Sequence, residues 1–327
     1  MKTMAIVATR HGGPEVLEWT EMDLPQPAPG EIRIDQTAVG INFADIYARI
    51  GQFSHTGAPA LPHPLGAQGA GKVGAVGEGV TRFKPGDRVC YAGVFGAYVQ
   101  SRNIPAERAI ATPDDISDDL AAAALLRGMT AEYLVCRLFP VKPGNRILVH
   151  AAAGGVGLIL CQWGKTLGAQ VIGTVGSSEK VDFVRAHGCD DAILYREENF
   201  VARVAEITGG RGVDVVYDSV GRDTFMGSLA CLRPRGWAIN YGTASGQVEP
   251  FPLQDLHSRA LIVTRPTLPQ WIATREELEW SANALWQVLR DGTVKMPITG
   301  RFALADAAAA HRALEGRGTT GALVLIV

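Results

Sequence analysis

Residues Arg146–Gly168, RILVHAAAGGVGLILCQWGKTLG, decide how this chain folds. Lys142-Pro143-Gly144 supplies a turn, and the apolar, β-branched run Arg146–His150 then reads as a short buried strand. From Gly155 the period changes. Val156, Ile159, Leu160, Trp163 and Leu167 recur at helical spacing, and Gly168 offers a C-terminal stop. Strand, glycine turn and helix in that order open a dinucleotide-binding βαβ unit. Gly154 and Gly157 let backbone approach a pyrophosphate and let helix pack on strand. The helix N-terminus turns unpaired N–H groups toward phosphate. The turn departs from G-x-G-x-x-G once, where Ala152 stands for the first glycine. Alone, the turn does not separate a nucleotide site from a plain strand–helix corner.

The alternation continues downstream. Gln170–Val175, Ala192–Leu194, Val213–Tyr217, Gly236–Tyr241 and Ala260–Val263 read as strands. Glu179–His187, Phe200–Thr208 and Thr224–Leu232 read as helices between them. Such alternation predicts a doubly wound parallel sheet, so the fold class is α/β.

Residues 1–125 carry a different pattern. Ala5–Thr9, Glu15–Thr20, Glu31–Val39, Gly71–Val76 and Gly96–Val99 are short β-rich runs, cut by turns such as His11-Gly12-Gly13-Pro14. Many short strands with Gly and Pro punctuation predict a compact β domain. Asp118–Leu138 is Ala/Leu-rich and predicted helical. Beyond Arg265 come a helix (Glu276–Leu289), a strand (Ile298–Phe302), a helix (Leu304–Leu314) and an apolar last strand, Ala322–Val327. That strand is expected to pack back on the β domain. The domains are therefore expected at 1–125 plus 266–327, and at 126–265.

Composition narrows the function. The 327 residues are 47% hydrophobic and 20% charged, with formal charge −2, so there is no general pull toward nucleic acid or anionic membrane. No apolar run reaches transmembrane length, and the N-terminus lacks a signal-peptide core. Five dispersed cysteines, with no C-x-x-C pair, read as reduced thiols in a cytoplasmic protein and not as a metal cluster.

HAAAGGVGL resembles the quinone oxidoreductase (zeta-crystallin-like) branch of the medium-chain dehydrogenase/reductase superfamily. HGGPEVLE, GINFADIY, VYDSVGRDTF and VTRP extend the resemblance to bacterial NADPH:quinone reductases over nearly the whole chain. It implies a GroES-like β domain with a Rossmann domain inserted before its C-terminal end. It also implies NADPH as cofactor, hydride transfer to a quinone in a cleft between the domains, and a homodimer joined along the nucleotide sheets near Leu253–Arg265. Two alternatives stand beside this: reduction of an enone or 2-alkenal, and a non-enzymatic NADPH- or AU-rich RNA-binding role. No basic stripe or RNA-recognition motif supports the last.

Zinc members of the superfamily carry Cys, His and Glu where this chain has Asn42 and Gly66-Ala67-Gln68, and a four-cysteine lobe that it lacks. His63 and Cys90 alone fall short of three well-spaced ligands, so no metal is expected. A quinone spreads developing charge over its ring, which lets hydrogen-bond donors and positioning serve without a Lewis acid. Gln68 departs from the glutamate usual even in zinc-free relatives and is given no catalytic role.

By resemblance, Asn42, Asp45 and Tyr47 lie beside the nicotinamide. The Asn42 amide and the Tyr47 phenol are the candidate donors to substrate or cofactor; a turn residue and a half-buried aromatic are the plain alternatives. Ala153, Gly154, Gly155, Val156 and Gly157 form the phosphate turn. Thr130, Thr174, Ser219, Val220, Tyr241 and Gly242 sit toward the nucleotide end, and Arg265 and Arg317 match positions holding cofactor or cleft geometry in similar reductases. NAD sites carry an acid about twenty residues after the turn, at the end of the second strand. Here Gly173–Ser178 has none, and Glu179 suits the first turn of the next helix. The resemblance instead assigns Lys180 and Tyr195 to a 2′-phosphate, with a hydroxyl from Ser177 or Ser178. Otherwise Lys180 is a solvated helix residue.

Overall fold

Gly and Pro cut the first third of the chain into short strands, and a computed structural model describing residues 1–52 and 60–327 shows how they pair. In order they are β1 (Lys2–Ala8), β2 (Leu17–Asp23), β3 (Glu31–Gly40), α1 (Phe43–Arg49), β4 (His63–Pro64), β5 (Gln68–Val76), β6 (Arg88–Ala92), β7 (Ser101–Pro105), β8 (Ala109–Ala111) and α2 (Asp118–Glu132). β1 pairs with β2 and β4, while β3 pairs antiparallel with both β5 and β7. β3 alternates Ile32 and Ile34 inward with Asp35 and Thr37 outward, as a half-buried strand does.

Gly96–Val99 is not a strand. It makes one bridge, Ala5 to Val99, because the buried amide of Gln36 donates to the carbonyls of Ala97 and Val99. Those carbonyls are thereby lost to a ladder. The strand lies just beyond, in the polar run Ser101–Pro105. The expected helix 118–138 stops at Glu132 and widens into a π turn over Tyr133–Leu138. Arg137, five residues after the fully buried Glu132, pairs with it at 2.8 Å, which suits a turn one residue wider than α.

The second unit follows as β9 (Arg146–Val149), α3 (Gly155–Thr166), β10 (Gln170–Val175), α4 (Glu179–Arg185), β11 (Asp191–Leu194), α5 (Phe200–Thr208), β12 (Val213–Asp218), α6 (Phe225–Cys231), β13 (Leu232–Asn240), α7 (Gln254–His257) and β14 (Ile262–Thr264). Its sheet runs β11-β10-β9-β12-β13-β14, with every pairing parallel. The order reverses between β9 and β12, and open α/β sheets bind ligands at the carboxyl ends of the strands flanking such a reversal. Leu148, Ile172, Val213 and Val216 build the core of this sheet with Phe225 and Leu229 of α6.

The tail adds α8 (Arg275–Arg290), β15 (Ile298–Ala303), α9 (Ala307–Glu315) and β16 (Ala322–Ile326). β16 pairs antiparallel with β3, completing a seven-stranded sheet in the first unit. The compact units are 1–127, 273–282 and 296–327, and 128–272 with 283–295. The tail expected whole in the β domain is thus divided. Residues 283–295 stay with the nucleotide sheet: Gln162 of α3 holds both the carbonyl and the N–H of Lys295, and Leu285 fills the space beside Gly128. No helix among the described residues is long and apolar enough to cross a membrane.

Leu325 on β16 is fully buried in the core with Ile34, Val39 and Tyr91. Leu325→Ala is expected to cost about 2–5 kcal/mol, read as an earlier urea transition. An unchanged midpoint would show that the last strand contributes nothing to that core.

Candidate active site

A side chain at residue 157 would have no room. Its Cβ would stand 2.4 Å from the carbonyl oxygen of Ala151, so α3 can lie this close to the end of β9 only with glycine there. Ala151 holds the sharp turn at φ 51°, a left-handed conformation that a non-glycine residue adopts at a cost. Ala152 fits because Gly173 of β10 faces it; a Cβ on Gly173 would meet the Ala152 methyl at 2.8 Å. Ala153 is buried, whereas Gly154, Gly155 and Val156 are partly open. Leu158 N–H bonds back to Gly154, leaving the N–H groups of 155–157 ahead of it at the helix end. These groups are placed to hold a phosphate.

Beneath the turn lies a buried polar chain. His150 Nδ1 meets Thr174 Oγ1 at 3.0 Å and Nε2 meets Ser228 Oγ at 3.0 Å. Asp218 accepts from the Ser228 and Thr224 hydroxyls and from the N–H groups of Val220 and Gly221. Burial holds His150 below its ordinary pKa, against the pull of Asp218. Thr174 therefore turns its hydroxyl inward and fixes the turn, also accepting Ala152 N–H at its carbonyl. Asp218 shapes the Ser219–Val220 loop, which lies so close to Gly242 that a Cβ there would meet Ser219 O at 2.7 Å. Arg265 donates to Asn240, whose amide donates to Gly242 O. The buried Tyr241 hydroxyl sits beside Ser219, whose side-chain hydrogen bond opposes the upward push that burial gives its pKa. Thr130 is buried beyond the middle of α2, and Arg317 is exposed at φ 55°.

At the end of β10, Gly176 leaves space bounded by Tyr195 and Arg196, whose atoms lie 3.5 and 3.6 Å from a Cβ built there. Burial first, and then the Arg196 guanidinium, lower the pKa of Lys180, while Glu179 pulls it up. Two cations and a phenol thus gather where an NAD site carries an acid. Sequence reasoning missed Arg196, although it directly follows Tyr195. Ser177 is engaged with Glu179 and holds that carboxyl below its ordinary range.

In the first unit, Asn42 caps α1. Its N–H donates to Asp45 Oδ2 at 2.7 Å, and Asp45 N–H returns to Asn42 O. Only 7% of Asn42 is exposed, and its side-chain Nδ2 has no partner among the described residues. Such an orphaned buried donor calls for a ligand or water. Asp45 faces inward as the cap's acceptor, with burial raising its pKa to about 7 against Asn42 N–H, the Tyr98 hydroxyl and Arg127. Tyr47 is half-buried, its ring 6.1 Å from that of Phe43.

Gln68 is fully buried and its Oε1 accepts Leu126 N–H at 2.8 Å, so its oxygen is committed to α2. Burial pushes the Cys90 thiol up to about 12, far from the thiolate a metal needs. Among the described residues no three His, Cys, Asp or Glu are placed to hold a metal ion.

The alcohol dehydrogenase GroES-like domain family matches residues 28–141, and the zinc-binding dehydrogenase family matches 155–283. A quinone oxidoreductase of Pseudomonas aeruginosa is 47% identical, with 97% of each chain covered. A 2-haloacrylate reductase of Burkholderia is 43% identical, covering 99% of this chain and 98% of that one. The crystal structure of Escherichia coli quinone oxidoreductase complexed with NADPH superposes with TM-score 0.96 at 45% identity, covering 99% of this chain and 100% of that one.

Despite the zinc in that family's description, the purified protein is expected to hold no stoichiometric zinc, because Asn42, Ala67 and Gln68 stand where the resemblance puts the ligands and no three suitable ligands gather among the described residues. Elemental analysis finding one zinc per chain after dialysis against a mild chelator would contradict this.

Proposed function

This chain belongs to the quinone oxidoreductase family of dehydrogenases with a GroES-like domain, and from that premise we propose that it is an NADPH-dependent quinone reductase. The observation that carries the cofactor is the cation pair Lys180 and Arg196 beside Tyr195, in place of the acid of an NAD site. The glycine turn fits the group, since a Cβ at 157 would meet Ala151 O at 2.4 Å and hold the N-terminus of α3 away from the end of β9. Residues 153–157 would hold the pyrophosphate, and Lys180, Arg196, Tyr195 and Ser177 the 2′-phosphate. Ser219, Val220, Tyr241, Gly242 and Arg265 would line the same end of the sheet, Thr174 supporting it from below, with Thr130 and Arg317 as further contacts. When bound, NADPH supplies the hydride. The Asn42 amide, its Nδ2 without a partner among the described residues, would donate to the acceptor oxygen, with the Tyr47 phenol as a second donor. A quinone delocalises the incoming charge, so donors of this strength suffice without a metal.

A second reading is favoured by the Burkholderia relative, whose name is that of a reductase acting on an activated C=C bond. The same donors would stabilise an enolate.

We also propose a homodimer, because β14 is a sheet edge and Leu253 and Ile262 nearby are exposed. Light scattering at micromolar concentration is expected to give twice the 34.8 kDa chain mass, and a monomer mass would overturn this. A cytoplasmic place follows from five free, dispersed cysteines, and recovery from an oxidising compartment on cell fractionation would count against it.

Steady-state rates with a benzoquinone, a naphthoquinone, a 2-alkenal and 2-chloroacrylate test the substrate class; the quinones are expected to lead in kcat/KM. Failure of every acceptor to oxidise NADPH would defeat both readings. NADPH is expected over NADH by about one to two decades, the worth of one charged hydrogen bond. Lys180→Ala should lose most of that preference by weakening NADPH alone. Equal efficiency with both cofactors in the unmutated protein would show the β10 terminus to be misread.

A further inference from the structure

The Asn42 cap is the inner end of a buried polar chain that reaches the protein surface. Arg49 of α1, only 1% exposed, forms a two-pronged ion pair with Glu315 at 2.5 and 3.1 Å and donates through Nε to Gly12 O. It also meets His311 Nδ1 at 3.0 Å. His311 Nε2 meets the Tyr98 hydroxyl at 3.0 Å, and that hydroxyl meets Asp45 Oδ2 at 3.1 Å. The same Oδ2 accepts Asn42 N–H.

Elementary donor chemistry gives this chain a direction. A guanidinium can only donate, so His311 Nδ1 must accept and the imidazole proton sits on Nε2. Nε2–H therefore donates to the Tyr98 oxygen, and Tyr98 has its own proton to give to Asp45. Burial and Arg49 together push His311 down to about 3, so it stays neutral in this tautomer. The chain cannot relay protons outward, because Arg49 closes it and does not release one. Its effect is to deliver a hydrogen bond to Asp45. Other charge reaches Asp45 from Arg127, a buried guanidinium held by Ile41 O and Ala123 O.

We propose that Tyr98 and His311 are positioning residues of the reaction, a one-way chain from Arg49 that keeps Asp45 the acceptor of the Asn42 backbone and so keeps the Asn42 side chain set for its ligand. The proposal rests on the reading of Asn42 as a donor to substrate. Ionised Asp45 takes both donors at Oδ2; protonation weakens it as an acceptor and loosens the cap. Turnover should then fall on the acid side, over the range where Asp45, near 7, gains its proton.

The test uses the full-length enzyme in two readouts: the acid limb of kcat with a benzoquinone, and thermal stability against pH. Asp45 titrates above its unfolded value of 3.8, so stability falls as pH rises from there to the folded value near 7 and then levels. Tyr98→Phe removes a donor to the ionised form. Both the acid limb and the levelling point should move up by about one to two pH units, with KM for NADPH unchanged. His311→Leu should act in the same direction, whereas His311→Gln, offering an oxygen to Arg49 and an N–H to Tyr98, should restore the native profile. The histidine pair decides the matter if Tyr98→Phe does not fold. An unshifted levelling point, a levelling shift without a shift in the acid limb, or equal behaviour of His311→Gln and His311→Leu would overturn the proposal. Asn42→Ala, measured alongside, tests the underlying reading separately: full activity there sinks the role of Asn42, while the levelling point still reports on the chain.

Discussion

The carbonyl of Ala151 lies where the Cβ of any residue but glycine would fall at 157, and the nucleotide unit is arranged around that contact. It fixes how near α3 comes to the end of β9, and hence where the first N–H groups of the helix are presented. Ala152 can replace the usual first glycine only because β10 concedes the space with Gly173. The volume is conserved across two strands and not at one position. Thr174 and His150 then hold the turn from below, so a short stretch of strained backbone is supported by side chains that no ligand would touch.

Each unit supports its candidate residues with a buried histidine linked to a carboxylate through one hydroxyl. In one, Asp218, Ser228, His150 and Thr174 shape the loops at the carboxyl ends of β12 and β10. In the other, Asp45, Tyr98 and His311 stand behind the Asn42 cap. Buried polar chains are costly when any member lacks a partner, but fully paired they specify one geometry. The exception is informative here. Asn42 Nδ2 is a buried donor without a partner among the described residues, and it belongs to a segment proposed to face cofactor or substrate.

Periodicity made the nucleotide sheet legible as a doubly wound parallel sheet, since its strands and helices alternate with clear glycine stops. The β unit was less so. Gly96–Val99 looks like a strand, yet the buried Gln36 claims its carbonyls, a contact across sixty residues that no local pattern carries. Ser101–Pro105 has no apolar alternation and is a strand only because β3 lies beside it. The π turn after Glu132 carries an ion pair with Arg137, and residues 283–295 are held by Gln162 at Lys295, contacts that no local pattern records. For the site, motif resemblance pointed to Asn42, Lys180 and Tyr195, but not to Arg196, nor to the inward roles of Asp45 and Thr174. Those roles are set by which way a side chain turns, and a sequence does not record that.

Gly157 is the residue on which the cofactor site most directly depends. Titrating NADPH into Gly157→Ala by protein fluorescence, with cooperative unfolding checked on the same sample, measures whether the close approach of α3 to Ala151 makes the cofactor site. A loss of affinity of at least about tenfold, equivalent to about 1.4 kcal/mol, in a still-folded protein is the predicted result. An unchanged dissociation constant would place the cofactor away from this turn and contradict its role.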